Sequence, residues 1–504
     1  MKTTSSARSA VLFFLGCILA SQVTTEAQSF KALYSFPTSF PPGGFARPLY
    51  TGNCLYGPGG AGIFRINSDG TGYIIIKTFP PTVYNGTSAN TNSDGATLLG
   101  GVIVDGDTLY GTASQGGLYG LGSLFSLKTN GLSFNAFKQF SGPDGKAPYG
   151  ELLLVSNILY GTTAAGGDFG KGTVFQVNTD GSGFGVLHSF GGGDGLLPVG
   201  GLTLSGGVLY GTTVGGGSGS NGTVFSISLD GSGFTTVKNF SGADGASPRY
   251  HLVGSGGWIY GTADGGNSGG MVYELSTDGT QYNILKTFSP LDPVSGTNTD
   301  GYYTQSGLES CGGALFGSTR VGGYYGSGVL FALRMDGCGY TVLHHFTRTS
   351  NGTEFFINSD GAEPGPLTLY GGTLYGTPYK GGNAGAGALT ALNIAPRIDV
   401  AGNGMGPSGF EFDVAGYSNE VVSVEACTDL AMSVWQSLWT NTIGVGPFHF
   451  ADTVHDQGDS PGEPHCAERQ RVRHREKATF QAFISWKIRT AVRTKTSKIV
   501  KLCR

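Results

Sequence analysis

The sequence is poor in charge. Only 13% of its 504 residues are Asp, Glu, Lys or Arg, and the net charge is −4. Disordered chains show the reverse, high charge with few aromatics, and here aromatics reach 12%. Cysteine is sparse and scattered. The seven, at 17, 54, 311, 338, 427, 466 and 503, form no CxxC pair and keep no fixed spacing, which excludes a disulfide framework. Cys311 and Cys338 lie near enough in sequence to pair, or both stay unpaired. Long apolar runs are missing after the first twenty residues, so no later transmembrane helix is expected. There is no HExxH, no Ser/His/Asp set, and no glycine loop ending in Gly-Lys-Ser/Thr ahead of a helix. His251 and His345 stand alone. Glycine is abundant, at 90 residues, but without a Gly-X-Y register, so collagen is excluded.

What is present is a period. Leu109-Tyr110-Gly111-Thr112, Leu159-Tyr160-Gly161-Thr162, Leu209-Tyr210-Gly211-Thr212 and Ile259-Tyr260-Gly261-Thr262 recur every fifty residues. Looser copies at Leu55-Tyr56-Gly57, Leu315-Phe316-Gly317-Ser318 and Leu374-Tyr375-Gly376-Thr377 bring the count to seven. A fixed period in this range marks a repeat architecture. The unit from Val199 to Phe240 reads as four strands. Gly201–Ser205 and Val208–Thr213 are joined by Gly206-Gly207, a turn whose central positions need positive φ. Thr223–Ser228 and Phe234–Phe240 are joined across Asp230-Gly231. A four-stranded sheet cannot cover both of its faces alone, and several packed around an axis can.

Fourth strands end at Phe79, Phe140, Phe190, Phe240, Phe288 and Phe346, and the last unit runs into Pro396 without one. The missing strand matches Phe30–Phe36, ahead of the first unit. The expectation is an all-β fold: a seven-bladed β-propeller over 30–394, closed by that N-terminal strand, and then a small β module over 397–456. Residues 1–27 read as a signal peptide, with Lys2 and Arg8 before the apolar run Ala10–Ala20 and small residues at Thr25 and Ala27. Residues 457–504 are basic and are expected to hold little stable structure. From 458 onward, twelve Lys and Arg face four Asp and Glu. This tail is either a basic arm or a frameshifted reading of the ending.

Two features recur by blade. Two residues before each terminal Phe stand Tyr34, Lys77, Lys138, His188, Lys238, Lys286 and His344. Five of the seven are not histidine, so a histidine metal ring is not expected, and lysine there is read as an edge-strand guard. Asp94, Asp144, Asp194, Asp244, Asp300 and Asp360 each precede Gly in the links between blades. They are read as turn residues rather than a cation-binding ring. As copies of one another they do not make an acid/base pair, which needs two unlike environments.

The pattern Gly-Gly-x-Leu-Tyr-Gly-Thr-Thr, Gly-x-Gly-Thr-Val-Phe, Asp-Gly-Ser-Gly, Leu-His-Ser-Phe and Asp-Gly-x-x-Pro resembles the Gloeo-Verruco (GloVer) repeat family, closely over about 97–288 and loosely over 30–394. The resemblance implies tandem fifty-residue repeats in exported bacterial proteins. It brings no established activity and no catalytic residues. Segment 397–456, with Val424–Leu430 and Trp435, resembles the module that often follows such repeats.

The function expected is an exported, non-enzymatic binding or interaction scaffold, located outside the cell, at its surface or in the periplasm. A carbohydrate-active enzyme and a structural surface protein are the alternatives. No catalytic residue, cofactor, metal or nucleic acid is expected, and an extracellular glycan or protein is the partner class. Loops on a rigid scaffold are the usual seat of function. The long links Pro80–Asp94, Ser289–Asp300 and Thr347–Asp360 open on one face. The candidate ligand-binding residues are therefore Tyr84, Tyr302, Tyr303, Phe355 and Phe356, aromatics suited to stacking on sugars or peptides.

Overall fold

In the computed structural model the described residues are 29–394, without 40, 42–45, 85, 87–89, 266–268, 305 and 352–355, together with the backbone of strands beyond 394. All regular elements are strands. Seven antiparallel sheets carry the repeat, one per blade. Blade 4 runs Thr203–Ser205, Val208–Thr213, Thr223–Ser228 and Thr235–Asn239, from the axis outward. Its first hairpin turns on Gly206 and Gly207 at φ 59° and 82°, as the doublet predicts. Blade 6 adds an inner strand, Tyr302–Thr304, on an extended second strand, Ala314–Val321.

The ring shuts as the displaced strand predicts. Phe30–Ser35 pairs antiparallel with Ala388–Asn393 as the outer strand of blade 7. Phe36 follows, fully buried, and its N–H donates to the Gly387 carbonyl at 3.1 Å. Seven blades are thereby complete, and the all-β propeller expectation holds.

The core lies between blades. Tyr110 and Leu124 of blade 2 pack with Leu152, Leu159 and Phe175 of blade 3, and Tyr160 of blade 3 packs with Leu202, Leu209 and Phe225 of blade 4. The repeated tyrosine therefore faces the next blade. The glycine after it faces its own third strand. Gly111 pairs Phe125 and Gly161 pairs Phe175, and a Cβ on either glycine would sit 2.5 Å from the ring. The threonine after that bolts blade to blade. Thr162 Oγ1 donates to the Gly200 carbonyl at 3.1 Å, and Thr262 Oγ1 to that of Ser306 at 2.9 Å.

Two blades depart from phenylalanine opposite the repeated glycine, blade 7 with Thr390 and blade 5 with Tyr273. Tyr273 stands where Phe64, Phe125, Phe175, Phe225 and Phe331 stand elsewhere. It is fully buried, and its hydroxyl has no hydrogen-bond partner among the described residues. A buried, unpaired hydroxyl costs about 1–3 kcal/mol. Tyr273→Phe is expected to raise the thermal midpoint, and a lower midpoint in a melt monitored by near-UV circular dichroism would refute this account of the site.

The two recurring outer features turn out to be one. Lys77 binds Asp94 at 2.6 Å, Lys286 binds Asp300 at 2.6 Å, His188 meets Asp194 at 2.8 Å and His344 meets Asp360 at 3.0 Å, while Lys138–Asp144 and Lys238–Asp244 complete the set. Each group also lies on an aromatic ring of the following blade. Lys77 and Lys138 sit 3.9 Å from the ring centres of Phe134 and Phe184, and His188 and His344 stack at 3.6 Å on Phe234 and Phe30. Tyr34 on Tyr73, at 4.6 Å, is the seventh seam. The edge-guard reading of the lysines is therefore corrected. Their side chains are only 17–20% accessible, because the next blade covers them. The aspartates do cap their turns, as Ser141 N–H donates to Asp144 at 2.8 Å and Ser241 N–H to Asp244 at 2.7 Å.

Cys311 is free and Cys338 is disulfide-bonded, so the two do not pair with each other, and neither sequence alternative stands as stated. In the 397–456 segment, Gly409–Ala415 pairs with Arg397–Asp399 and Phe448–Ala451. Val421–Cys427 pairs with Gln436–Thr442 and with Ser485–Ala491, and the latter pairs with Ile499–Leu502. The last two strands fall in the basic tail. The signal-peptide reading of 1–27 lies outside the described residues.

Candidate functional site

The inner strands place a ring of equivalent positions around the axis. Leu49, Ile103, Leu153, Thr203, Val253, Glu309 and Thr368 each pair with the aromatic of the repeated motif. Two residues earlier stand Arg47, Gly101, Glu151, Gly201, His251, Gly307 and Pro366, one per blade. Glycine at three of these keeps the channel open, and Arg47, Glu151 and His251 give it chemistry.

Arg47 reaches across the channel. Its Nε donates to Glu151 at 2.7 Å and its Nη1 to Glu309 at 2.7 Å, so blade 1 is tied to blades 3 and 6. A third of the Arg47 side chain stays accessible from the channel, yet protein encloses it on nearly every side. The Glu151 carboxylate, then burial opposing it, and then Glu309 together hold the guanidinium charged well above its usual range. Burial pushes the Glu309 carboxyl up against the pull of Arg47. His251 is the neutral member. Burial, and next the charge of Arg47, push its ring down to about 3, and its Nε2 lies 3.1 Å from the Leu308 carbonyl. The tautomer that fits has the proton on Nε2.

Above this floor a cavity of about 400 Å³ opens, lined by Leu99, Tyr149, Val199, Arg249, Tyr250 and Tyr303, with Glu151 and His251 below. These residues follow the links between blades, so the mouth opens on the long-link face. Links and glycine loops are stitched together there by the bridges Lys146–Ala165 and Ala246–Asp264. The hydroxyls of Tyr149, Tyr250 and Tyr303 make no hydrogen bond among the described residues. Burial, and then the Asp264 charge, push the Tyr250 phenol far above its usual range, so it stays a donor. Arg249 meets Asp264 through Nε alone, at a loose 3.4 Å. Among the described residues no three His, Cys, Asp or Glu side chains gather as metal ligands.

Of the five aromatics expected from sequence, Tyr303 lines the cavity, held at φ 67° in a left-handed position that Thr97, Ala147, Leu197, Ser247 and Glu363 share in other blades. Tyr302 packs instead, its ring covering Gly269 of the neighbouring blade. Tyr84 is 63% exposed on a small hairpin, Val83–Tyr84 with Asn90–Thr91, away from the cavity lining. Phe356 lies in the strand Phe356–Ile357, its side chain outside the described residues, and Phe355 is outside them altogether.

The sequence reading missed Tyr149 and Tyr250, and it missed the glycine-loop tips. Tyr119, Phe169, Tyr324 and Tyr325 are 54%, 64%, 61% and 47% exposed on the same face. Each lies between two glycines of its loop, and blade 4 has Ser218-Gly219 there. Aligning the repeats on those glycines is the signal that finds them.

No curated protein matches the chain in sequence. Among solved structures, oligogalacturonate lyase from Vibrio parahaemolyticus is 12% identical, with a TM-score of 0.43 over 71% of this chain and 92% of that one. TolB from Acinetobacter baumannii is 13% identical at a TM-score of 0.33, over 55% and 57%. The computationally designed Ika8 protein is 10% identical at a TM-score of 0.40, over 72% and 100%. Such distant likenesses lend no function to this chain. Residues 50–269, in contrast, match the Gloeobacter/Verrucomicrobia repeat, and this stretch of the chain belongs to that repeat family.

Proposed function

We propose that the protein is an exported, non-catalytic binding scaffold that meets an extracellular glycan on the long-link face. The observation that carries this reading is the joint placement of exposed aromatic tips and a tyrosine-lined cavity on one side of a rigid ring. Tyr119, Phe169 and Tyr325 offer faces for stacking on sugar rings. The cavity behind them offers tyrosine hydroxyls that no described residue takes. The described residues hold no helix long and apolar enough to cross a membrane. A glycan array with the purified full-length chain tests the reading. Binding is expected, and the triple change Tyr119→Ser, Phe169→Ser, Tyr325→Ser is expected to weaken it at least about ten-fold, or about 1.4 kcal/mol. No binding to any glycan, or unchanged binding by a folded triple variant, would sink it.

A second reading has one observation in its favour. Glu151 and Glu309, carboxylates in unlike surroundings, converge in the channel, and unlike surroundings are what acid/base work needs. Against it, both are occupied by Arg47. Turnover of a polysaccharide that disappears in Glu151→Gln and Glu309→Gln would favour the enzyme.

A further inference from the structure

The channel holds two arginines on its ligand-facing side, and they are loaded differently. Arg47 carries two carboxylates, each at 2.7 Å. Arg249, at the rim, carries one, through Nε at 3.4 Å, and its terminal nitrogens meet no partner among the described residues. A guanidinium presents a planar fork that matches a carboxylate through two parallel N–H bonds. Arg249 thus has room for a second carboxylate, on the cavity side. Around it stand three partly buried tyrosines whose hydroxyls have no protein partner among the described residues. These hydroxyls border the cavity and are partly accessible, so a ligand seated there can take them. The cavity, about 400 Å³, is the size of a monosaccharide unit with its first-shell water rather than of a longer chain. Leu99 and Val199 give it an apolar wall that suits the C–H face of a sugar ring.

We infer that the channel mouth is a subsite for a sugar acid, whose carboxylate takes the open fork of Arg249 and whose hydroxyls meet Tyr149, Tyr250 and Tyr303. This rests on the glycan-binding reading of the same face. It adds that the unit seated at the axis is acidic, while the outer tips stack on its neutral or acidic neighbours. Asp264 does not oppose the fit, because Arg249 then bridges two carboxylates as Arg47 already does.

The test is titration calorimetry of the full-length protein with glucuronate, galacturonate, glucuronate methyl ester, glucose and acetate. One or both uronates should bind, with the ester and glucose at least ten-fold weaker. Arg249→Gln should weaken the uronate at least ten-fold, Tyr250→Phe several-fold, and Arg334→Gln, paired with Asp336 in a hairpin outside the cavity lining, not at all. Equal binding of ester and acid, an unchanged Arg249→Gln, or no uronate binding at millimolar concentration would overturn the inference. Acetate binding as tightly as the uronate would also overturn it, by removing the sugar from the recognition. An array positive only for neutral glycans would refute the acidic subsite while leaving the glycan-binding face intact. A silent array would refute both.

Discussion

Arg47→Met is expected to cost the fold about 3 kcal/mol, near the lower end of the roughly 3–5 kcal/mol for breaking a buried ion pair, since channel water reaches part of this one. The reason is the pair left behind. Glu151 and Glu309 would face one another in the channel with nothing between them, and two like charges in a low-dielectric site repel strongly. The cost should be recovered in large part by a second change, Glu309→Gln, which removes one of the stranded charges. Thermal melts of the wild type and the two variants measure it. If Arg47→Met melts with the wild type, the cluster does not hold the ring. If the double variant is no better than the single, the loss is one of packing and not of charge.

Acidification is expected to weaken the protein well above the range where its carboxylates titrate. His251 is held neutral, its pKa pushed down from 6.5 to about 3 by burial and by Arg47. With the folded value below the ordinary one, the unfolded chain takes the proton first. The stability tied to this ring is therefore complete above pH 6.5 and is lost progressively as the pH falls toward 3. Down to about pH 4 the loss amounts to about 3 kcal/mol, at about 1.4 kcal/mol per pH unit, and less where channel water solvates the ring. The paired carboxyls of Asp144 and Asp244, where burial is outweighed by the hydrogen bonds from Lys138 and Lys238, lie below their usual range and contribute their own loss only under more acid conditions. Glu309 and Asp264, raised by burial, act in the opposite direction. A His251→Gln variant isolates the ring. Its denaturation midpoint should be flatter than the wild type's between pH 6.5 and 4, and parallel curves would refute the assignment.

The fold was legible because every signal came with copies. The Leu-Tyr-Gly-Thr stretch appears seven times, the terminal Phe six, and the imbalance between them pointed to Phe30–Phe36 and to closure. The site was hardly legible, for the converse reason. Arg47, Glu151 and His251 stand where Gly101, Gly201 and Gly307 stand in other blades, so each appears once and has nothing to repeat. Their meeting is a property of the ring, which brings residues 262 positions apart to 2.7 Å. The lysine and aspartate series were each visible alone. Their joining over the next blade's aromatic was not, because adjacency between outer strands depends on how blades stack. Tyr302 and Tyr303 were singled out as a pair, but successive residues of a strand point to opposite sides, and only Tyr303 lines the cavity.

The strand that latches the ring is also the first of the propeller to be synthesised. Lys31 meets Ala391, made 360 residues later. Entropy does not forbid so distant a contact, since each doubling of a flexible loop adds only about 0.6 kcal/mol, but contacts between segments far apart in sequence slow folding. Until the seventh unit is complete, Phe30–Ser35 has no edge to join, and Ala388–Asn393 then waits as an open edge for any strand of the right pattern. Two chains folding side by side could trade these strands and emerge as a swapped dimer with every blade intact. The joint that finishes the ring is thus also a place where concentration and time can act on assembly.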